Sequence, residues 1–292
     1  MPDSWTLRYY FIALIDVLGQ SSKLLGLTKL PTTQDEKIET ARILHETAGY
    51  IMRLRKGFAD YFELGKKSTG ILDHLPPNQR AIADNLRRTD VKITTFSDTT
   101  ILTIPLDNKD EHCLSINSIY SALYGICGMF LGALAERKPF RGGVDIGLGV
   151  QLTENETYGP ALVKAHFLEK DAALYPRIII GDSLFEYLNV VQQLISETLQ
   201  AKFAKNTTSN CKALITHDYD KLNILDVIGE GAQSIQGGIH KDLVEKAYEF
   251  IVQSHNDFKK SQDFNMHTRY GLLRSYFESR VHLWSIEPIQ SL

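Results

Sequence analysis

The chain opens with a nearly continuous apolar run from Tyr9 to Val17. Its aromatic and β-branched residues are typical of a strand that is buried on both faces. Asp16 interrupts this run near its end, and Leu18-Gly19 follows as a turn signal. The pattern therefore places Asp16 at the C-terminal end of a central strand, where open α/β sheets bind their ligands.

A helical pattern comes next. The segment Thr33 to Glu36 has the spacing of a capping box, with acidic residues in the first turn. Apolar residues then recur at helical intervals, which predicts one long amphipathic helix over about 33–66. Two prolines within 70–79 predict a break after this helix.

The middle of the chain alternates between strand and helix signals. Threonine and isoleucine dominate 91–105, which predicts two strands around a tight turn at Ser97-Asp98. An uncharged helix over 113–136 and a Gly-rich strand over 140–152 follow. The glycines of that strand indicate that another backbone or a ligand comes close. Asp145 alternates with apolar neighbours and is predicted to face solvent.

The second half is predicted to be increasingly helical. The predicted elements are helices over 159–170 and 183–204, a strand over 177–180, a polar loop over 206–210, and amphipathic helices over 241–260 and 265–283. We therefore predict an α+β domain over 1–204 and a C-terminal helical extension over 205–292.

Composition narrows the function classes. The chain is 43% hydrophobic and 23% charged, and its formal net charge is −3. No basic field attracts nucleic acid or an anionic membrane, so neither is an expected partner.

The uncharged stretch 114–135 is about long enough to span a bilayer. Polar residues crowd its first half, however, and a buried core helix is the simpler interpretation.

Cysteine usage and the N-terminus indicate the compartment. The three cysteines, Cys113, Cys127 and Cys211, show no CxxC spacing. Their pattern argues against a disulfide framework and against structural zinc. The N-terminal apolar run has no basic region before it, which argues against a signal peptide. We expect a cytoplasmic protein.

Asp16 and Asp98 are the residues best suited to chemistry. If their strands are neighbours, the two carboxylates converge beside main-chain oxygens, including that of Ile15. Such an oxygen-rich site suits Mg²⁺ or Mn²⁺ bridged to phosphates. The turn Val17-Leu18-Gly19 would supply N–H groups to a triphosphate. The plainer interpretations are a strand-end cap for Asp16 and an ordinary turn residue for Asp98.

Five segments, taken together, resemble the class III nucleotidyl cyclases. They are Ala13-Leu-Ile-Asp-Val-Leu-Gly19, Thr94-Thr-Phe-Ser-Asp-Thr-Thr-Ile-Leu102, Arg141-Gly-Gly-Val-Asp-Ile-Gly147, the stretch from Tyr158 to Glu169, and Pro176-Arg-Ile-Ile-Ile-Gly181. The similarity spans roughly 9–190. It is closest to a divergent bacterial branch that includes pyrimidine cyclases of antiviral signalling.

This resemblance implies a ferredoxin-like βαββαβ core and a head-to-tail homodimer with sites at the subunit interface. The implied reaction is attack of the ribose 3′-OH of a nucleoside triphosphate on its α-phosphorus, with release of pyrophosphate. Asp16 and Asp98 match the family's metal ligands, and Arg141 is a further catalytic candidate. Glu156 falls near the acidic residue that reads the base, and Lys164 is a candidate substrate contact.

The chain departs from the family pattern at two positions of one helix. The family's Asn and Arg, four residues apart, correspond here to Val163 and Phe167, which cannot donate side-chain hydrogen bonds. Thr94 stands where many members have a base-reading Lys. Two hypotheses therefore stay open: an active cyclase with altered base choice, or a degenerate module that binds nucleotide or mediates dimerisation. The spacing of Asp16 and Asp98 also indicates an insertion over about 65–90.

Overall fold

The apolar run at the start of the chain forms β1 (Leu7–Val17), which lies inside a sheet between β3 (Thr99–Pro105) and β4 (Phe140–Thr153). Phe11 packs into the core on one face of the sheet, and Ile12 packs on the other. The run is continuous rather than alternating because helices cover both of its faces.

The computed structural model describes residues 6–19, 24–67, 76–77, 82, 85–86, 91–106, 116–153, 156–235 and 237–289. The other strands are β2 (Lys92–Phe96), β5 (Glu156–Tyr158), β6 (Ile178–Ile180), β7 (Ile215–His217) and β8 (Asn223–Leu225). The sheet has the order β2-β3-β1-β4-β6-β8-β7, with β5 beside β4. Only the β4–β6 pair among these described strands is parallel. The chain is thus a mixed α/β protein, in agreement with the predicted class.

Helices surround this sheet. They are α1 (Gln34–Lys67), α2 (Ile116–Ala135), α3 (Pro160–Phe167), α4 (Asp182–Gln192), α5 (Leu199–Ala213), α6 (Glu230–Gln233), α7 (Lys241–Lys260) and α8 (Phe264–Glu278). A π-helical turn (Leu168–Ala172) continues α3, and a 3₁₀ turn (Val281–Trp284) follows α8.

The predicted capping box begins α1. The Thr33 hydroxyl accepts a hydrogen bond from the Glu36 amide at 3.2 Å, and the Glu36 carboxylate accepts one from the Thr33 amide at 3.0 Å. Two of the helix's orphan donors are satisfied in this way. Further along, Tyr61 packs on Gly128 of α2 so closely that a Cβ at Gly128 would overlap its ring.

The uncharged helix α2 is the centre of the larger core. It packs against α1, α5 and α7. Within the described residues, it is the one helix long and apolar enough to cross a membrane, and 89% of its most apolar window is buried inside the protein. Its burial on all sides explains why it carries no charge.

Two predictions in the second half are wrong. The single helix predicted over 183–204 is two helices, α4 and α5, which are separated by residues 193–198. The polar loop predicted over 206–210 lies inside α5, where Thr207 and Thr208 are buried. Phe203 and Cys211 of the same helix are anchored in the core, and this tertiary packing overrides the weak helix propensity of the polar run.

The predicted division between 204 and 205 does not correspond to a break in the structure, because it falls within α5. The second segment is also more than a helical extension, since it supplies β7 and β8 to the common sheet. Leu225 and Ile228 belong to the same core cluster as Phe130 and Phe140. The two predicted parts therefore share one hydrophobic core.

A buried arginine joins the first part of the chain to this second part. Arg177 precedes β6 and forms ion pairs with Asp218 and Asp220 of the β7–β8 connection, the latter at 2.7 Å. Its guanidinium also lies over the rings of Tyr175 and Tyr219, 4.7 and 5.7 Å from their centres. Five side chains thus fix the β7–β8 hairpin against the sheet.

The C-terminal helices pack as an antiparallel hairpin. The rings of His255 in α7 and His267 in α8 stack with their centres 4.1 Å apart. Burial, followed by the charges of His267 and Arg274, lowers the pKa of His255 below its usual value.

Some predicted segments lie outside the residues that the structure describes. They are most of the predicted break over 70–79, most of the predicted insertion over 65–90, and residues 113–115 of the predicted helix.

Candidate functional site

The end of β1 brings the predicted carboxylates together. Asp16 pairs with Thr99 of β3 on one side and with Arg141 of β4 on the other. Asp98 lies in the turn directly before Thr99, and its carbonyl accepts a hydrogen bond from the Val17 amide at 3.3 Å. Asp16 and Asp98 are therefore neighbours at one end of the sheet, as the sequence predicted.

This end of the sheet carries surplus negative charge. Burial, followed by the nearby carboxylates of Glu169 and Asp98, raises the pKa of Asp16 to about 6. Arg141 and a 3.4 Å hydrogen bond from the Thr99 hydroxyl oppose that rise without cancelling it. Carboxylate oxygens in this arrangement are of the type that divalent cations such as Mg²⁺ prefer as ligands.

Arg141 is held by a carboxylate that the sequence analysis did not identify. Its Nε lies 2.7 Å from Oε1 of Glu169, and its Nη1 donates to the Ala173 carbonyl at 3.4 Å. Glu169 is only 4% exposed and belongs to the π-helical turn. No spacing rule links it to Arg141, because the pair joins a helix to a strand.

Gly143 of β4 makes this contact possible. A Cβ at Gly143 would overlap the Ala165 carbonyl oxygen of α3 and would lie 2.6 Å from the Glu169 amide. Only glycine allows the π-helical turn to approach the strand this closely. The expectation that another backbone comes close to the Gly-rich strand is confirmed here.

The turn after β1 differs from its expected role. Gly19 has a φ of +78°, which suits a tight turn. The Val17 amide donates to Asp98 and the Leu18 amide donates to the Pro139 carbonyl at 2.9 Å. These two N–H groups are therefore engaged within the protein, so the predicted supply of main-chain donors from Val17 and Leu18 to a triphosphate is not available in this conformation.

Helix α3 presents an apolar surface at the positions that depart from the family pattern. Val163 is 51% exposed and Phe167 is 57% exposed. Between them, Lys164 donates to the Ser183 hydroxyl at 2.6 Å. His166 has a half-exposed side chain, and its Nδ1 is 3.7 Å from Oε2 of Glu169. Lys164 thus contacts α4 and not the carboxylate pair.

The predicted base contact Glu156 and the residue that replaces the family's base-reading lysine, Thr94, line the same cavity. A space of about 430 Å³ lies on the sheet face that carries α3. Its lining comprises Ile12, Lys92, Thr94, Thr95, Phe96, Ile101, Thr103, Leu152, Glu156, Thr157, Tyr158 and Leu162. Thr94 comes from β2 and Glu156 from β5, so the fold brings together residues that are 62 positions apart.

Asp145 is buried, contrary to the prediction that it faces solvent. It is 5% exposed, and its Oδ1 accepts a hydrogen bond from the Leu184 amide at 2.8 Å. The carboxylate therefore caps the N-terminus of α4 from the neighbouring strand. Burial raises its pKa. The strand is covered on both faces at this point, so alternation with apolar neighbours did not indicate exposure.

In the part of the chain that the structure describes, no group of three or more His, Cys, Asp or Glu side chains is arranged to hold a metal ion. The carboxylates of Asp16 and Asp98, with main-chain oxygens such as that of Ile15, are the donors that a divalent metal would use at the end of β1. The chain matches no protein-family model and no curated protein.

Proposed function

We propose that this protein is a divergent class III-type nucleotide cyclase. It converts a nucleoside triphosphate to a 3′,5′-cyclic nucleotide and pyrophosphate, with Mg²⁺ or Mn²⁺, at the interface of a homodimer in the cytoplasm. The observation that carries the proposal is the adjacency of Asp16 and Asp98 at the end of β1, in a site with surplus negative charge.

The topology supports this proposal. Over residues 7–153 the chain runs strand, helix, two-stranded hairpin, helix and strand. The sheet order β2-β3-β1-β4 agrees with a ferredoxin-like core, in which the first strand lies between the third and the fourth. Asp16 and Asp98 then occupy the two positions at which the resemblance expects metal ligands.

Each side chain at this end of the sheet has a role in the proposed reaction. Asp16, Asp98 and the Ile15 carbonyl would hold the metal, which supplies activation of the 3′-OH and neutralisation of phosphate charge when bound. The Thr99 hydroxyl orients Asp16. Arg141 offers a cation to the transferring phosphate, and Glu169 fixes the position of its guanidinium.

The cavity beside Thr94 and Glu156 would receive the base. Glu156 accepts hydrogen bonds from an exocyclic amino group, whereas Thr94 can donate or accept one. A base-reading lysine is missing at Thr94, which supports a base choice different from that of purine cyclases. The exposed apolar Val163 and Phe167 support contact with a second copy across α3.

The same two residues favour a second candidate function. Without the family's Asn and Arg at Val163 and Phe167, the site lacks donors whose loss typically costs about 3–4 kcal/mol of transition-state stabilisation. The alternative is a cyclase-homology module that binds nucleotide, or only dimerises and passes a signal, without turnover.

The deciding experiment incubates the full chain with ATP, GTP, CTP or UTP and Mn²⁺, and identifies products by mass spectrometry. A cyclic mononucleotide from one substrate, absent in Asp98→Asn, supports the cyclase. Asp60→Asn is the matched control, because Asp60 is an exposed carboxylate on α1, away from this site. Nucleotide binding without product supports the module, and neither binding nor product leaves only dimerisation.

A further inference from the structure

Helix α3 runs along the sheet toward the carboxylate pair. A Cβ at Gly147 would touch Ala161 near the start of the helix, and a Cβ at Gly143 would overlap the Ala165 carbonyl one turn later. Gly143 lies closer than Gly147 to the residue of β4 that pairs with Asp16. The last turn of α3 therefore lies nearest to the end of the sheet that holds Asp16.

His166 lies on the side of α3 that faces the β2–β3 hairpin. Leu162, four residues earlier, lines a cavity together with Thr94 of β2 and Ile101 of β3. Residues four positions apart lie on the same side of a helix, so His166 follows Leu162 on this side, one turn closer to the carboxylate pair. Lys164 instead points to α4, on the other side of the helix.

Glu169 holds the imidazole of His166. Its Oε2 is 3.7 Å from Nδ1 of His166, while its Oε1 is 2.7 Å from Nε of Arg141. The carboxylate is buried and the imidazole is half-exposed. With Nδ1 toward the carboxylate, Nε2 on the opposite side of the ring is left for a ligand. The charge of Glu169 also raises the pKa of Asp16, so this carboxylate lies within electrostatic reach of the proposed metal site.

The π-helical turn is a separate sign of function at this place. The chain changes from α-helix to this wider turn directly after Phe167. Such turns are rare and occur frequently at functional sites. This turn carries the carboxylate that contacts both His166 and Arg141.

The proposed reaction needs an acceptor for the proton of the ribose 3′-OH. Asp16 and Asp98 are assigned to the metal, and Arg141 is a cation, so the proton goes to another group. Imidazole is the side chain best suited to accept a proton near neutral pH. A base whose second nitrogen faces a buried carboxylate has the arrangement found in activated catalytic dyads.

We propose that His166 is the general base of the cyclisation and that Glu169 is its positioning residue. This inference rests on the proposed function. Nε2 of His166 takes the proton of the 3′-OH while the 3′-oxygen forms its bond to the α-phosphorus. The bond from the α-phosphorus to the bridging oxygen breaks, and its electron pair leaves with pyrophosphate. The imidazolium, stabilised by Glu169, then releases the proton to water.

The separation of His166 from Glu169 agrees with this role. At 3.7 Å the contact is longer than a hydrogen bond. Contacts of this kind in catalytic sites are commonly loose before substrate binds and tighten in the complex. Because Arg141 already holds Glu169 in place, the histidine is the member of the pair that moves.

The test measures steady-state cyclisation by the full chain with Mn²⁺. His166→Ala should lower kcat by about 10²–10⁴-fold with little change in KM. Free imidazole should restore part of the lost rate, because a small base can enter the space that the ring leaves, and it should not accelerate the wild type. His45→Ala is the control, because His45 is exposed on α1, which covers the opposite face of the sheet.

Binding of a 3′-deoxynucleoside triphosphate separates catalysis from folding. This analogue has no 3′-OH, so His166→Ala should bind it within about twofold of the wild type in calorimetry. An equal loss of kcat and of analogue affinity assigns His166 to binding and overturns the inference.

Two further outcomes separate this inference from the proposed function. A wild-type kcat in His166→Ala, or a loss of kcat that imidazole does not restore, overturns the role of His166 and leaves the cyclase. A wild-type chain that makes no cyclic nucleotide from any of the four triphosphates overturns both.

Discussion

The buried Arg177 gives the sharpest prediction about stability. Replacement by Met keeps most of the side-chain volume but removes the charge. Arg177 is 4% exposed and its partner Asp218 is 8% exposed, so the change leaves a buried carboxylate without its cation. Removal of one partner of a buried pair typically costs about 3–5 kcal/mol. That loss is a large fraction of the total stability of an ordinary domain.

Several contacts place the cost of Arg177→Met within that range. Asp218 keeps a 2.5 Å hydrogen bond from the Tyr175 hydroxyl and one from the Tyr219 amide at 2.8 Å, which offset part of the penalty. The Ala172 carbonyl loses its hydrogen bond from Nη2, which adds about 1 kcal/mol. We expect a net loss of about 4 kcal/mol, which corresponds to a fall of about 10 °C in Tm.

The assay is thermal and urea unfolding followed by circular dichroism. Arg42→Met is the control, because Arg42 forms solvent-exposed ion pairs with Glu39 and Glu46, and its loss should change stability far less than the loss of Arg177. Asp218→Asn in the Arg177→Met background should recover part of the loss, since the uncompensated charge is gone. A loss in Arg177→Met no larger than that of the control would refute the reasoning.

Three further predictions concern the sheet and the C-terminal hairpin. Gly143→Ala should destabilise the fold by about 1–3 kcal/mol in urea unfolding, because its Cβ overlaps the Ala165 carbonyl, and an unchanged midpoint would contradict the close approach. Asp145→Ala should lower the unfolding free energy by about 1–2 kcal/mol, because the Leu184 amide loses its capping hydrogen bond. Asp145→Asn keeps an acceptor oxygen and should cost less. Equal losses in the two variants would argue against capping. The pKa of His255 is lowered from 6.5 in the folded protein, so the unfolded chain binds a proton at this residue more tightly. The stability that His255 contributes is therefore present above pH 6.5 and is lost as pH falls through the lower folded pKa. His255→Asn should flatten the dependence of unfolding free energy on pH in that range, and an unchanged slope would contradict the lowered pKa.

Elements with strong local signals were predictable from the sequence. The continuous apolar run gave β1, the capping box gave the start of α1, and the uncharged stretch gave α2. The turn at Ser97-Asp98 was predictable because threonine-rich strands flank it. These signals also located the two aspartates, since Asp16 lies at the end of β1 and Asp98 lies in the turn of the β2–β3 hairpin.

What the sequence missed depends on contacts between distant segments. The pairing of Glu169 with Arg141 joins positions 28 residues apart through a π-helical turn that no periodicity predicts. Asp145 was predicted to face solvent, because the sequence does not show that the first turn of α4 lies beside its strand. In the structure its carboxylate caps that turn at the Leu184 amide. The polar run in α5 was mistaken for a loop, since its helix depends on burial of neighbouring side chains such as Phe203.

The central claim is that Asp16 and Asp98 form a divalent-metal site. Its most direct test is titration of the full chain with Mn²⁺, with and without nucleoside triphosphate, followed by the loss of the free Mn²⁺ signal in electron paramagnetic resonance. The account predicts binding that nucleotide strengthens and that falls by about tenfold or more in Asp16→Asn and in Asp98→Asn, but not in Asp60→Asn. Equal Mn²⁺ binding by the wild type and the two site variants would contradict it.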